Sequence, residues 1–457
     1  MQPLSTTWCS QQQFGSASSC EYIAQIHCLC LPRVFEFLSL RRNRKGLTTL
    51  REPSTQTVSD RPTTGASQRE TLGLLIGFFL LSTAAAAYEI APASILPVIQ
   101  ESLKLKASTA GWLVSIMYAT AVVTSVPAGI AIDRFSVRRM IIFGTVALVV
   151  AGVWGWYAAT AGTFLWLLVS RVLGGVAYVI FWNAGANVVG SAVASHHRAT
   201  VVGVFTASAP VGFALGQFGS PLIATIAGWP AILPLYAAMG VVGVTIFLLA
   251  TRRHVPGVNA SAPDRTTLRK LFTNQAVWIV CVLCFLAYSL YLFVNTWLPS
   301  YLVNRFGISL AASGLLTALF PAIGALGRSS SGVVSDRVFG GERRPVVVSS
   351  FVVATPVVVA FAFVSQLWLV GGAVVVVGFA IQLVTGLLFS YIVELVPPPV
   401  RTTAVSLLTS VGLLGAFAAP IAAGTIIDRA GYGPAFLVAG GVAFIGVLLA
   451  LRAPEPK

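Results

Sequence analysis

Charge is what this chain has least of. Asp, Glu, Lys and Arg supply 9% of its 457 residues, against 56% apolar residues. A water-facing globular surface needs about 25% charged residues, so an ordinary soluble fold is excluded. Histidine is equally scarce, with 4 residues, and cysteine has 6, four of them (Cys9, Cys20, Cys28, Cys30) near the N-terminus. Cys281 and Cys284 form a lone Cys-x-x-Cys with no second pair and no histidine ligands. That pattern points to helix packing rather than a metal, and neither metal nor cofactor is expected. No Gly-x4-Gly-Lys-Ser/Thr motif occurs, which argues against an ATP-driven pump. No nucleophile, base and orienting acid form a visible constellation, so the chain does not read as an enzyme.

What fills the sequence instead is apolar runs. A bilayer core about 30 Å thick takes roughly 20 apolar residues per helix. Twelve such runs fall near 72–98, 108–132, 140–160, 164–190, 200–226, 230–250, 275–301, 310–335, 346–364, 367–392, 402–426 and 433–451. They are too long for barrel strands, which need about ten alternating residues. The fold class is therefore an all-α membrane protein with twelve transmembrane helices. The lipid bilayer is its first partner.

The cations set the orientation. Loops after the even-numbered spans, with the entry to the seventh, carry Arg134, Arg138, Arg139, Arg198, Arg252, Arg253, Arg265, Arg269, Lys270, Arg337, Arg343, Arg344 and Arg401. The opposite loops hold Lys104, Lys106, Arg305 and Arg429. The positive-inside rule places the crowded loops and both termini in the cytoplasm, in a plasma membrane protein. The net charge of +15 is then a topology signal, and no nucleic-acid partner is expected.

One loop recurs. "GIAIDRFSVRRM" (Gly129 to Met140) returns as "GVVSDRVFGGERRP" (Gly332 to Pro345), with Gly129, Asp133 and Arg134 mapping onto Gly332, Asp336 and Arg337 at a separation of 203 residues. The same offset pairs Gly111 with Gly314, Arg198 with Arg401, Thr200 with Thr403 and Thr206 with Thr409. An offset kept through several loops and helices signals a duplicated six-helix unit. It divides the chain into a cytoplasmic, disordered N-terminal extension (1–70), an N-terminal bundle (71–251), a cytoplasmic linker (252–274) and a C-terminal bundle (275–457). Residues 1–70 carry the basic "RRNRKG" and an apolar stretch broken by His27, Pro32, Arg33 and Glu36. They read as a disordered arm, or as an upstream segment included by a generous start site.

These loops, with "RVLGG" (Arg171 to Gly175) and "ELVPPPVR" (Glu394 to Arg401), resemble the signature motifs of the major facilitator superfamily, over roughly residues 72–452. The resemblance implies two pseudo-symmetric six-helix bundles that alternate a central cavity between membrane faces, functional as a monomer. It also implies that Gly129, Asp133, Arg134, Arg138, Arg139, Gly332, Asp336, Arg337, Glu394 and Arg401 form conformational latches. A carboxylate there can pair with guanidinium groups or a helix N-terminus in one state and release them in the other. The plainer alternative is that the arginines only hold the loops in the cytoplasm.

Three charges stand clearly inside spans: Glu89, Arg171 and Arg328. Each costs about 2.5 to 3.5 kcal/mol at a helix centre, so each is expected to face a partner or a cavity. Glu89 and Arg171 fall at matching depth in the first and fourth spans, which line the cavity in the superfamily. An ion pair between them is expected as the proton-coupling element, with Arg171 also open to substrate; a static bridge is the alternative. The run "GALGRSSSGVVSDR" around Arg328 resembles the eighth helix of nitrate/nitrite porters, where an arginine binds the anion. Those porters add a second arginine from the second helix, which here holds no cation. The resemblance stops short of nitrate specificity and leaves a single-arginine site for a small anion, or an arginine that snorkels toward the cytoplasm.

In the seventh span, Tyr288, Tyr291 and Asn295 share a face. Its "WLPSYL" segment resembles cyanate-permease-like members, and an interfacial belt accounts for Trp297 and Tyr301. Tyr291 and Asn295, with Gln382 of the tenth span, join Arg171 and Arg328 as substrate-binding candidates. The fifth span matches the Gly- and Pro-rich motif of exporters only in part. The expected function is secondary transport: proton-coupled uptake of a small organic or inorganic anion, or alternatively a proton antiporter exporting a drug-like or metabolic compound. A membrane receptor or enzyme is the third class.

Overall fold

A computed structural model of the chain describes residues 68–193, 195–251 and 271–456. The side chains of Gln68, Asp133, Asn187, Ser191 and residues 195–200 stand outside that description. So do nearly all of the N-terminal extension with its four cysteines, and linker residues 252–270 with their five cations.

All regular structure among the described residues is helical, as lipid demands: with no water to satisfy backbone groups, a spanning segment must bond its own N–H and C=O. The principal helices are α1 (Gln68–Ser94), α2 (Trp112–Arg134), α3 (Val137–Thr160), α4 (Phe164–Ser191), α5 (Ser208–Ala227), α6 (Ile232–Ala250), α7 (Gln275–Phe306), α8 (Leu310–Val338), α9 (Arg344–Ala360), α10 (Leu367–Glu394), α11 (Arg401–Ala430) and α12 (Tyr432–Ala450). Among the described residues eleven helices are long and apolar enough to cross a membrane, and α9 is a shorter apolar helix of 17 residues, near the lower limit of about 17 for a span.

Two spans are less regular than their hydropathy suggests. The run at 72–98 ends as helix at Ser94, and a separate helix, Leu96–Leu103, follows. Pro92 and Pro97 each remove a backbone donor at this point. The run at 200–226 breaks at Ala207, where a helix Ser195–Thr206 hands over to α5. Pro210 follows three residues later and leaves the Thr206 carbonyl without its helical donor. Within α4 the uniform apolar surface is of the kind expected for a helix surrounded by protein and lipid rather than water.

The duplication is visible in the packing. In the first half α1 packs on α5 and α6, α2 on α4, and α3 on α4 and α6; in the second half α7 packs on α11 and α12, α8 on α10, and α9 on α10 and α12. Across the halves α2 meets α11 and α5 meets α8, so each contact has a counterpart six helices on.

These cross-contacts close one end of the bundle, the end bearing the α1–α2, α7–α8 and α11–α12 connections. A Cβ on Gly111 would stand 2.7 Å from the Pro420 carbonyl oxygen, and a Cβ on Gly314 2.5 Å from the Gln217 carbonyl oxygen. Both partners of the first pair lie 203 residues from their counterparts in the second. Glycine alone lets backbone approach backbone this closely. At the same end Asp428 of α11 accepts hydrogen bonds from the Ala107 and Ser108 amides of the other half, at 2.8 and 2.9 Å. Deeper in, Gln217 Nε2 donates to the Asn295 carbonyl at 2.7 Å. At the opposite end Gly129 and Gly332 have open space where a side chain would stand.

Candidate functional site

Beneath the closed end the halves enclose a cavity with about 570 Å³ of empty space, counting its mouth. It is lined from both halves: Glu89 of α1, Tyr118 of α2, Tyr178 and Trp182 of α4, and Phe213 of α5 face Tyr288 and Tyr291 of α7, Arg328 of α8, and Gln382 and Phe389 of α10. Phe213, Tyr291 and Phe320 form a column of stacked rings, each 5.5 Å from the next, and the column crosses from one half to the other. On α4, Tyr178 and Trp182 lie four residues apart and stack almost parallel, 8° and 6.4 Å between centroids.

The expected ion pair between Glu89 and Arg171 is not what the structure shows. Arg171 is fully buried and spends its donors on backbone. Nε reaches the Leu113 carbonyl at 2.9 Å, Nη1 the Tyr88 carbonyl at 2.7 Å, and Nη2 the carbonyl of Glu89, not its carboxylate. The guanidinium also lies 4.8 Å from the Tyr88 ring centroid. The reason is local to α1. Pro92 has no N–H, so the carbonyl four residues back, that of Tyr88, has lost its helical donor. A buried guanidinium with five fixed donors satisfies it and its neighbour together. Arg171 pins the proline kink of α1 to α4 and α2, and it is not among the residues lining the cavity.

Glu89 is left at the cavity wall. It is 1% exposed, and neither carboxylate oxygen has a hydrogen-bond partner of good geometry. The Tyr118 hydroxyl faces it and is itself without a well-formed bond. Across the cavity Arg328 is half-buried, with its guanidinium 5.6 Å from the Phe389 ring centroid and the Tyr288 hydroxyl beside it. Among the described residues no carboxylate lies within ion-pair distance of Arg328 or of Arg171. The cavity thus holds one carboxylate and one guanidinium, neither within ion-pair distance of an opposite charge among the described residues, although the Arg171 guanidinium still acts on Glu89 electrostatically.

The other expected site residues separate. Tyr291 and Gln382 line the cavity, and Gln382 Oε1 accepts a bond from the Thr385 hydroxyl. Asn295 does not line it. One helical turn beyond Tyr291, it is wholly buried toward the closed end, donating to the Tyr291 carbonyl at 2.9 Å. Tyr118, Tyr178, Trp182, Phe213 and Phe389 were not anticipated. Tyr178 and Trp182 follow Arg171 by seven and eleven residues, so helical spacing on one face was the available signal for them. For Tyr118 and Phe389 the sequence offered none.

At the open end, Arg134, Arg138, Arg139, Arg337 and Arg401 are exposed, and the side chain of Asp133 lies outside the described residues. The second loop has a defined pairing: Arg343 bonds Asp336 at 2.9 Å and Glu394 at 2.9 and 3.1 Å. All three belong to one half. From sequence alone Arg343 reads only as a loop cation. By the 203-residue offset the position matching Glu394 is Ser191, so the first half has no equivalent acid there.

A profile of the Major Facilitator Superfamily matches residues 74–420 and 339–457. The chain belongs to that superfamily. Among curated Major Facilitator proteins it is similar to the hexuronate transporter of Bacillus subtilis (strain 168), at 25% identity over 387 residues, 79% of this chain and 89% of the relative. It is also similar to the nitrite extrusion protein of the same organism, at 24% over 213 residues, 47% and 52% of the two chains. In fold it is similar to a bacterial homologue of the human lysosomal transporter Spinster, in an inward-facing and unoccupied conformation. That match has a TM-score of 0.72 and 16% identity, covering 85% of this chain and 98% of the other. As a Major Facilitator protein it is a multi-pass membrane transporter.

Proposed function

We propose that this transporter carries a small organic or inorganic anion inward across the plasma membrane, together with a proton, by alternating access of the central cavity. The observation that carries the reading is Arg328: a guanidinium at the cavity wall, in contact with phenol and phenyl rings and unpaired with any described carboxylate. An unpaired cation in a largely apolar chamber binds an anion more strongly than it would in water, because the surrounding dielectric is low. Two relatives named for anionic solutes, hexuronate and nitrite, support the same class. Glu89, the acidic side chain at the same cavity, is the group placed to take the accompanying proton.

The side to which the cavity opens follows from the loops. With the arginine-rich loops cytoplasmic by the positive-inside rule, the closed end is external and the cavity opens inward. Residues 71–251 and 275–457 then act as the two moving halves of a functional monomer. The opposite reading, a proton antiporter exporting a drug-like or metabolic compound, draws on one observation, the aromatic column of Phe213, Tyr291 and Phe320.

The test is pH recording outside lightly buffered proteoliposomes on adding small carboxylates, cyanate, nitrite or cationic drugs. Proton entry with an anion, abolished in Glu89→Gln and with the anion's apparent KM raised in Arg328→Gln, is the expected result. Proton release on entry of a drug, with no response to any anion, would overturn the proposal in favour of export.

A further inference from the structure

The walls of the cavity narrow the solute further. We infer that the anion is a planar, unsaturated monocarboxylate of the benzoate type, rather than a hydroxyl-rich sugar acid or an inorganic oxyanion; this rests on the anion reading above. Three features of the cavity converge on that chemistry.

The first is the single charge and its shape. Arg328 is held by the Phe389 ring on one side and the Tyr288 hydroxyl on another. A guanidinium presents a flat fork of donors that matches one carboxylate. A compact oxyanion would also need donors on its remaining sides, and no second cation lines the cavity.

The second is the aromatic surface. Tyr178 and Trp182 line one side of the cavity with flat rings at an ordinary stacking distance, and Phe213 adds a third ring; Tyr291 is itself stacked between Phe213 and Phe320. Such faces favour a flat π-system by about two- to ten-fold beyond its area burial. They do nothing for nitrite.

The third is the apolar remainder of the wall. The Thr409 hydroxyl is used on the Val405 carbonyl at 2.8 Å, and Gln382 Oε1 is used by Thr385. Leu292, Leu413, Ala209 and Pro210 complete the wall without a side-chain polar atom.

The experiment is uptake of labelled benzoate, glucuronate, formate and nitrite into proteoliposomes of the full chain under an inward proton gradient. Benzoate is expected to exceed glucuronate and nitrite at least about ten-fold in kcat/KM. Trp182→Leu and Tyr178→Leu, checked for an unchanged melting temperature, should each lower the benzoate-to-formate preference by about five-fold. Preferred uptake of glucuronate or nitrite would overturn the aromatic inference while leaving the anion proposal standing. So would aromatic variants whose benzoate-to-formate preference does not change. Uptake of a cationic drug with none of the four anions would overturn both. No transport of any solute by folded protein would count equally against both.

Discussion

Replacing Gly111 by alanine should move this transporter between its two states without touching the cavity. The added Cβ would stand 2.7 Å from the Pro420 carbonyl oxygen and 3.0 Å from its carbon, where a normal contact needs about 3.4 Å or more. Both obstacles are backbone, so no rotamer change relieves them, and α2 and α11 must separate by several tenths of an ångström. Overpacking of this kind costs about 1 to 3 kcal/mol, and it is paid only while the end is closed. The closed-to-open ratio at that end should therefore fall about 5- to 150-fold. Spin labels on Lys104→Cys and Arg429→Cys, both exposed positions at the closed end, report the change as a new, longer distance population in a background without the native cysteines. Gly314→Ala should act alike, since its Cβ meets the Gln217 carbonyl oxygen at 2.5 Å. Gly441→Ala, where a Cβ meets nothing within 4 Å, is the control. A folded Gly111→Ala variant with an unaltered distance distribution would refute the reasoning, because the contact would then be carrying no part of the closure.

Asp428→Ala should weaken the same closure by about 1 kcal/mol, since two charge-assisted bonds to the Ala107 and Ser108 amides are lost but the carboxylate is exposed and screened; the same spin-label pair reads it as a several-fold shift. Arg171→Met should strip donors from three buried carbonyls and lower stability by at least about 3 kcal/mol, seen as a depressed melting temperature in detergent. Arg171→Lys should recover only part of that loss, because one ammonium cannot span the fork. Arg343→Ala should cost little in stability, about 1 kcal/mol or less, since its partners Asp336 and Glu394 are 62% and 36% exposed; equilibrium melting checks it. Cys281 and Cys284 should resist maleimide in the folded protein, as both are fully buried with no metal-ligand cluster among the described residues.

Particular residues mark where the sequence could be read and where it could not. Glu89 and Arg328 were legible as cavity groups because a charge within a span is expensive and must face something polar. Arg171 met the same rule, yet its partner was misjudged. Depth along two helices can be counted from sequence, but the orphaned carbonyl behind Pro92 competes with a carboxylate only once α1 and α4 are in place. Tyr291 and Asn295 share a helical face, and only one of them reaches the cavity. The closed end begins between their two turns, and where the halves meet is not a property of α7 alone. The pairing of Arg343 with Glu394 spans 51 residues and depends on how α10 ends beside the α8–α9 loop.

The chain's hydropathy by itself determined that the structure is helical and crosses a membrane about twelve times, because unsatisfied backbone groups are forbidden in lipid whatever the tertiary arrangement. The repeated loop and the constant offset determined that there are two related halves. Tertiary structure alone decided which end is closed, which aromatic rings line the chamber, and that the arginine of α4 serves backbone while the arginine of α8 lines the cavity with no described carboxylate in ion-pair distance. Those outcomes depend on distances of a few ångströms between helices far apart in sequence, and hydropathy, which reports only on preference for lipid or water, carries no information about them.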